Sequence, residues 1–234
     1  MMLRAWLACL LGALASSLSL GRPRVARLGA STRPLAPPLL RPLTRLVNLV
    51  TSLLPRPGLE RTEAELKRGI AGFYDESSSI WLDVWGEHLH HGYYPSPAFR
   101  DHLQAQIDMI DRSLEFAYQG EPRDLPRTMV DVGCGVGGSS RYIARKYGCK
   151  GQGISLSPYQ IDRARQFTET QNLSHLLEYS VNDAMKMPFE AGAFDLTWSM
   201  ESGEHMPDKQ RFINELVRVT APGGRYVEPS KSKY

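Results

Sequence analysis

A glycine-rich turn between a strand pattern and a helix pattern constrains the fold of this chain most. The stretch VDVGCGVGGSSRYIARKYG begins at Val130 and carries glycines at 133, 135 and 138. Glycines at this spacing permit a tight strand-to-helix bend and let a ligand lie close to the backbone. The turn predicts a nucleotide-like ligand, and other residues must distinguish a dinucleotide from another cofactor.

Strand and helix patterns alternate on the C-terminal side of the Pro-rich sequence EPRDLPR. The predicted strands are TMVDVGC, GQGIS, LEYSVND, FDLTWSM and GGRYV, and helices follow the first, second and fourth of them. Such alternation predicts an α/β fold with a parallel sheet. Ligands of open parallel sheets bind beyond the carboxyl ends of the strands, where the strand order reverses. The strand ends therefore define the candidate site.

Capping residues mark the starts of two of these helices. Ser157, Pro158 and Gln160 supply an N-cap, a proline at the first helical position and a capping-box partner. Asp208 is the predicted N-cap of the helix KQRFINELVRV. The apolar face of that helix is expected to bury Phe212, Leu216 and Val219.

Residues 60–126 are predicted to form a helical cap before the first strand. The stretch RTEAELKRGIAGFYD places Leu66, Ile70 and Phe73 on one face. The stretch DHLQAQIDMIDRSLEFAY repeats apolar residues at 103, 107, 110, 114 and 117, which is the spacing of a buried helical stripe. Residues 127–234 then form the predicted cofactor-binding domain.

The first 59 residues have the composition of a targeting leader. They hold eight Arg and no Lys, Asp or Glu, so the rest of the chain has 28 − 8 = 20 basic residues against 25 acidic ones. This balance argues against a nucleic-acid partner. The apolar run at residues 5–20 and the Arg- and Pro-rich segment at 21–59 predict a signal followed by a transit peptide.

Such a two-part address fits import into a plastid, in particular a complex algal chloroplast. A membrane anchor with a disordered linker, a mitochondrial presequence and simple secretion are the alternatives. Outside the leader only Cys134 and Cys149 remain, which is too few for a disulfide scaffold, and we expect both to be reduced.

The residues at the strand ends favour a positively charged cofactor. A nicotinamide enzyme should carry Asp or Glu about 20 residues after the glycines, and Ser155 stands there instead. Asp131 and Asp183 put carboxylates where a pyrophosphate would lie. S-adenosyl-L-methionine has a sulfonium, an ammonium and an adenine amine, which suit such acceptors.

Three segments resemble the successive motifs of class I methyltransferases: residues 130–138, 188–198 and 218–227. The stretches YDESSSIWLDVWGEHLHHGYY, GISLSPYQ and WSMESGEHMPDKQRF further resemble the gamma-tocopherol methyltransferases and their relatives, the plant alkaloid N-methyltransferases and sterol methyltransferases. The resemblance implies a Rossmann-like fold with an N-terminal helical lid. It also implies transfer of a methyl group from S-adenosyl-L-methionine to a ring carbon of a tocopherol-type chromanol, a step of vitamin E biosynthesis.

The resemblance also implies roles for residues of the turn and the strand ends. The three glycines would admit the methionine part of the cofactor, and Asp131 would orient its amino group. Asp183 and the N–H of Ala184 would bind adenine, Ser155 would bind ribose, and Tyr74 would close over the cofactor. The predicted cofactor-binding residues are Tyr74, Asp131, Gly133, Gly135, Gly138, Ser155, Leu156, Asp183, Ala184 and Ser199.

The stretch SMESGEHMPD follows the fourth strand and brings three ionisable residues to the mouth of the site. A phenol becomes a good carbon nucleophile when its hydroxyl loses a proton. His205 is the predicted base, and Glu201 or Glu204 would orient its imidazole. Alternatively, one glutamate caps the next helix, and Glu204 fits that role better than Glu201.

The cluster EHLHHGYY invites a metal-site interpretation, but it has neither an H-E-x-x-H motif nor a Cys/His pair at the usual separation. We expect no metal there and expect its His and Tyr residues to line the mouth of the site. The alternative is a surface cluster, with Trp81 and Trp85 in the core of the cap.

Two further classes of function remain open. The chain could methylate nitrogen or carbon of another lipophilic molecule, such as an alkaloid, sterol or quinol, or it could be an inactive cofactor-binding fragment. The second class arises because the chain ends in EPSKSKY after the fifth strand, whereas class I folds continue with two more strands. We therefore expect a C-terminal truncation. A lipophilic small-molecule substrate and peripheral contact with a membrane are the expected partners.

Overall fold

A computed structural model of the chain describes residues 62–96, 98, 101–119 and 125–229. These residues belong to one compact unit, Glu60–Tyr234. The predicted leader, residues 1–59, lies outside the described residues, so the division into leader, cap and cofactor-binding domain stays a prediction. Within the described ranges, no helix is both long enough and apolar enough to cross a bilayer.

Among the described residues, two helices precede the sheet, as predicted. Helix α1, Glu63–Trp85, begins at a capping box in which the Thr62 hydroxyl accepts from the Glu65 N–H, and the Glu65 carboxylate accepts from the Thr62 N–H. The helix continues past the predicted stretch and ends at Gly86, whose φ is 75°. The side chains of Leu66, Ile70 and Phe73 lie outside what the structure describes.

Helix α2, His102–Tyr118, buries a stripe that differs from the predicted one at its start. Ile110 and Leu114 are buried as expected. Leu103 is 53% exposed, so its predicted burial is wrong. The first helical turn faces away from the core, and Ala105 and Gln106 are the buried residues nearest the helix start.

The alternating segments form a single five-stranded parallel sheet, which confirms the predicted α/β class. Its order is β3-β2-β1-β4-β5, so the strand order reverses between β1 and β4. The elements are β1 Thr128–Val132, α3 Gly138–Tyr147, β2 Lys150–Ser155, α4 Pro158–Thr170, β3 Leu177–Val181, β4 Phe194–Trp198, a 3-10 helix Gly203–His205, α5 Lys209–Val219 and β5 Thr220–Val227.

Apolar side chains cover both faces of the sheet. On one face Met129 of β1 belongs to the same buried cluster as Ile110 of α2 and Ile143 of α3. On the other face Val130 packs in a second cluster that includes residues of α5. Successive strand residues point to opposite faces, which is why β1 supplies both clusters. The predicted buried face of α5 is confirmed for Phe212, Leu216 and Val219.

The predicted helix caps are confirmed in part. The hydroxyl of Ser157 accepts from the Gln160 N–H, and the carboxylate of Asp208 accepts from the Arg211 N–H. The capping-box role of Gln160 is wrong, because the Ser157 N–H donates to the Ser155 hydroxyl instead. The Gln160 side chain instead accepts from the Ser155 hydroxyl and donates to the Ser78 hydroxyl.

We predict opposite effects on stability for alanine at two glycines. A Cβ on Gly153 in β2 would lie 2.6 Å from Cε1 of the buried Tyr179, so Gly153→Ala should lower the free energy of unfolding by about 1–3 kcal/mol. Gly72 lies inside α1, and no described atom is within 4 Å of the corresponding position. Gly72→Ala should raise that free energy by about 0.5–1 kcal/mol. Urea unfolding measures the free energy of unfolding of both variants. Equal changes in the two variants would contradict the close contact of Gly153 in β2 with Tyr179 in β3.

Candidate functional site

The glycine turn leaves the carboxyl end of β1 at the point where the strand order reverses. Gly133, Gly135 and Gly137 have φ values of 78°, 55° and 78°. These lie in the left-handed region, which glycine enters without steric cost. At Gly133 a side chain would also meet the loop after β4, because a Cβ would lie 2.8 Å from the Ser202 hydroxyl oxygen. The turn therefore needs glycine for its own backbone shape.

Residues 87–91, which we call the lid segment, follow α1 and pass directly over the start of α3. A Cβ on Gly138 would clash with the carbonyl oxygen of Glu87 and lie 2.9 Å from Nδ1 of His88. The resemblance predicted that this glycine admits a ligand. In the structure, the group that approaches it closely is the backbone of the lid segment.

The lid segment also reaches the exposed part of the turn. Cδ1 of Leu89 lies 3.5 Å from the place that a Cβ on Gly135 would occupy. Gly133 itself is exposed. The lid segment thus covers one end of the turn and leaves the other end open to solvent.

An ion pair between the buried Arg141 and the half-buried Glu87 anchors the lid segment to α3. Nη2 of Arg141 lies 2.6 Å from Oε2 of Glu87, and the Arg141 side chain is 2% exposed. Nη1 of the same guanidinium donates to the carbonyl of Val136, and the Gln171 amide donates to the Glu87 carboxylate. A buried charge is tolerated when it is paired and hydrogen-bonded in this way. No role was predicted for Arg141, because its partner Glu87 is 54 positions away in the sequence.

Two histidines of the lid segment are buried and uncharged. Burial lowers the pKa of His88 to about 4, and the positive charge of Arg141 adds to this effect. Burial also lowers the pKa of His90, although its bond to the His91 carbonyl and the charge of Glu201 oppose the shift. Nδ1 of His90 donates to that carbonyl at 2.8 Å.

The predicted lining of the mouth by the EHLHHGYY cluster is therefore only partly met, because His88 and His90 are packed inward. The Gln106 side chain of α2 donates to the carbonyls of both residues. In the part of the chain that the structure describes, no three His, Cys, Asp or Glu side chains are grouped to hold a metal ion.

Glu201 joins the loop after β4 to the lid segment. Its Oε2 lies 2.6 Å from Nδ1 of His91 and 3.3 Å from the His91 backbone nitrogen. Burial raises the pKa of the Glu201 carboxyl, but the hydrogen bond and charge of His91 outweigh it, so the pKa lies below its ordinary value. His91 is a partner that the sequence did not predict for Glu201. The predicted partner, His205, ends the 3-10 helix, and its side chain lies outside the described residues.

Tyr74 of α1 reaches the same edge of the sheet. Burial, and then the charge of Glu204, raise the pKa of Tyr74 to about 12. The effect of Glu204 places the Tyr74 hydroxyl within electrostatic reach of the 3-10 helix that follows β4. Helix α1 therefore brings Tyr74 near Glu204, and its closing over a cofactor stays a prediction.

The predicted cofactor carboxylates have partners within the protein. Asp131 is 2% exposed, and the Ser140 hydroxyl donates to it from α3. Burial raises the pKa of Asp131 to about 6, against the opposing effects of Ser140 and Arg141. Asp183 accepts from the Met185 N–H at 2.9 Å, which is a local Asx bond. Their roles toward a cofactor stay predictions.

The remaining predicted residues also lie at the carboxyl edge. The Ser155 hydroxyl donates to the Gln160 side chain at 2.8 Å. The Ser199 hydroxyl lies 2.6 Å from that of Ser202. Ala184 is buried, and Leu156 is half-buried. The structure thus brings the predicted residues to one edge of the sheet, while contact with a ligand stays a prediction for each of them.

A separate groove of about 280 Å³ lies at the opposite edge of the sheet, where the strands begin. Lys150 and Leu177, the first residues of β2 and β3, line it together with His175. It contains none of the predicted site residues. Ligands of open parallel sheets bind at the carboxyl edge, which favours the glycine turn over this groove.

Comparison with known proteins links residues 130–227 to a family described as "Methyltransferase domain". A probable tocopherol O-methyltransferase, chloroplastic, of Oryza sativa subsp. japonica is 53% identical over 166 residues, which cover 69% of this chain and 46% of that protein. The chloroplastic tocopherol O-methyltransferase of Arabidopsis thaliana is 52% identical over 173 residues, which cover 71% and 49%. The chain spans about half the length of these curated relatives.

Among solved structures, the [4+2]-cyclase SpnF superposes with a TM-score of 0.63 at 30% identity, covering 68% of this chain and 58% of that protein. The alignment supports the Rossmann-like class I methyltransferase architecture with about five strands. SpnF is named as a cyclase, so the architecture alone does not fix the reaction.

We predict that Asp131 makes the stability of the chain fall as pH rises. Its pKa is about 6 in the folded chain against an ordinary value of 3.8. The folded state thus binds the extra proton between these values, and the free energy of unfolding should decline from about pH 4 to pH 6 by on the order of 3 kcal/mol. Asp131→Asn keeps an acceptor for Ser140 and should lack this decline. Urea unfolding of the wild type and of Asp131→Asn at pH 4 and pH 7 measures this decline. If the two proteins differ in free energy of unfolding by the same amount at both pH values, Asp131 does not titrate as described.

Proposed function

Residues 130–227 belong to the methyltransferase domain family, and from this premise we propose that the chain transfers a methyl group from S-adenosyl-L-methionine to a tocopherol-type chromanol. The observation that carries the proposal is the glycine turn at the reversal point of the sheet, which the lid segment covers at one end and carboxylates border. The sequence identity of 52% and 53% to tocopherol methyltransferases supports the substrate class.

The residues at the turn fit this cofactor. Its charged groups are an ammonium and a sulfonium, and Asp131 and Asp183 are carboxylates at the edge where it would bind. At the end of β2, Ser155 is a hydroxyl, which can donate to a ribose oxygen as well as accept from a ribose hydroxyl. Gly133 has a positive φ and is exposed, so its backbone is accessible to the methionine part of the cofactor.

S-adenosyl-L-methionine supplies an electrophilic methyl group on its sulfonium. The tasks of the chain are to exclude water, to position a phenol and to accept the proton of its hydroxyl. Tyr74 and the lid segment stand over the carboxyl edge and would exclude water. Glu201 and His205 were the predicted catalytic residues, and that assignment stays a prediction, with the described contact of Glu201 being His91.

The atom that receives the methyl group is part of the proposal. The two plant relatives are named O-methyltransferases. We favour a ring carbon, because loss of the phenol proton places negative charge on the carbons beside the hydroxyl. Nuclear magnetic resonance of the product distinguishes a C-methyl from an O-methyl group, and an N-methyl product from an amine substrate would instead support the alkaloid alternative.

Location and membrane contact follow from the same proposal. The relatives are named chloroplastic, and the Arg-rich, acid-free residues 1–59 suit a plastid address. Import of a fluorescent protein fused to these residues tests that address. Tyr93, Tyr94 and Leu103 are exposed beside the lid segment, at 39%, 44% and 53%. Aromatic rings with a polar tip suit a membrane surface, from which a lipophilic substrate would enter.

We predict that the chain binds S-adenosyl-L-methionine and that NAD binds much more weakly. Asp183→Ala should weaken cofactor binding by about 1–3 kcal/mol if its carboxylate accepts from the adenine amine in a shielded site. The matched control is Asp162→Ala, which removes an exposed carboxylate on α4 whose side chain is 68% exposed. Isothermal titration calorimetry measures the affinity of the wild-type chain for both ligands and the affinity of each variant for S-adenosyl-L-methionine. Tighter binding of NAD, or equal effects of the two substitutions, would contradict the proposed cofactor site.

A further inference from the structure

We propose that His91, held by Glu201, is the group that accepts the phenol proton, so that the lid segment itself supplies the base. This inference rests on the proposed function and deepens it. It assigns the base to a residue that lies 110 positions before Glu201 and outside the stretch that follows β4.

The hydrogen bond between the two side chains fixes which nitrogen can act. A carboxylate only accepts hydrogen bonds, so Nδ1 of His91 carries the proton in the 2.6 Å contact with Oε2 of Glu201. The lone pair of the neutral ring is then on Nε2, which becomes the proton acceptor. The His91 N–H donates to the same carboxylate oxygen at 3.3 Å and restricts the ring further.

The pair stands beside the glycine turn. Ser202, the residue after Glu201, packs against Gly133, and Leu89, two residues before His91, lies against Gly135. The His91 side chain is 26% exposed, and the Glu201 side chain is 16% exposed. An imidazole in this position is partly open to solvent at the mouth, while the carboxylate that orients it is shielded.

The backbone of Glu201 is held in an unfavourable conformation. Its φ is 53°, a value that costs a non-glycine residue roughly 1–2 kcal/mol. The Glu201 N–H donates to the Pro229 carbonyl at 3.2 Å, and the bond to His91 holds the other end of the residue. Strain that is maintained by surrounding contacts is a feature of functional sites, and here it aims the carboxylate at the lid segment.

The charges around the pair favour a charged imidazole during the reaction. Burial raises the pKa of the Glu201 carboxyl, but the hydrogen bonds from the His91 side chain and backbone outweigh this effect, so the pKa lies below its ordinary value and Glu201 is a carboxylate. His90 faces both residues and is neutral, since burial lowers its pKa. The carboxylate therefore stabilises the imidazolium, and the neighbouring imidazole adds no positive charge against it.

The proton transfer balances without another reactant. The phenol O–H bond breaks and leaves its electron pair on oxygen, while an N–H bond forms at Nε2 of His91. The imidazolium then releases its proton to solvent. The overall reaction releases one proton, since the ring hydrogen replaced by the methyl group restores the hydroxyl.

Methyl transfer to gamma-tocopherol as a function of pH tests the assignment. His91→Asn should lower kcat by about 10²–10⁴-fold and abolish the acidic limb of the pH–kcat profile, because the base is gone. Glu201→Gln should lower kcat less, because the His91 ring remains and loses only the carboxylate that fixes its tautomer. His175→Asn, in the groove at the opposite edge, is the matched control and should leave rate and profile unchanged. Glu87→Gln removes the ion pair that holds the lid segment to Arg141, and it should raise KM without removing the acidic limb of the profile.

A measurement without cofactor or substrate accompanies the kinetics. In the chain alone, ¹⁵N chemical shifts of the His91 ring should show the proton on Nδ1, and Glu201→Ala should give a mixture of the two tautomers. A wild-type His91 that is protonated on Nε2 overturns the inference. So does an acidic limb that persists in His91→Asn, or one that is lost in His205→Ala instead. Absence of methyl transfer by the wild-type chain overturns the proposed function and this inference together.

Discussion

The approach of the lid backbone to Gly138 is the constraint on which the rest of the site depends. Because α3 begins without a side chain there, the carbonyl of Glu87 can lie against the helix start. The Glu87 carboxylate then reaches the buried Arg141, which ties the segment after α1 to the helix after the turn. These contacts position the lid segment so that His91 lies beside the loop after β4 and forms a hydrogen bond with Glu201. The absence of a side chain at Gly138 thus allows the lid segment to lie against the carboxyl edge of the sheet.

This arrangement gives the glycines of the turn different tasks. Gly133 and Gly135 meet the demands of a left-handed backbone, whereas Gly138 makes room for another part of the same chain. A glycine pattern associated with cofactor binding can therefore reflect close packing within the protein at one of its positions. The distinction matters because a side chain at Gly138 would displace the lid segment, whatever its effect on a ligand.

The sheet could be predicted from the sequence because its signals are local. Alternating strand and helix patterns gave five parallel strands, and Ser157 and Asp208 marked helix starts that the structure confirms. The predicted burial of Leu103 is wrong because the apolar spacing does not tell how the first turn of α2 is oriented relative to the core. The predicted capping-box role of Gln160 is wrong because the N–H of Ser157, which Gln160 was expected to bind, donates to the Ser155 hydroxyl. The pairings of Glu201 with His91 and of Arg141 with Glu87 join distant residues, which local spacing does not report.

The central claim is that the lid segment and the glycine turn form one cofactor site. Hydrogen–deuterium exchange of the chain with and without S-adenosyl-L-homocysteine tests it most directly. The structure predicts slower exchange on binding in two places at once: residues 87–91 and residues 133–138. Protection confined to the groove around Lys150 and His175, or protection of the turn without the lid segment, would contradict the account.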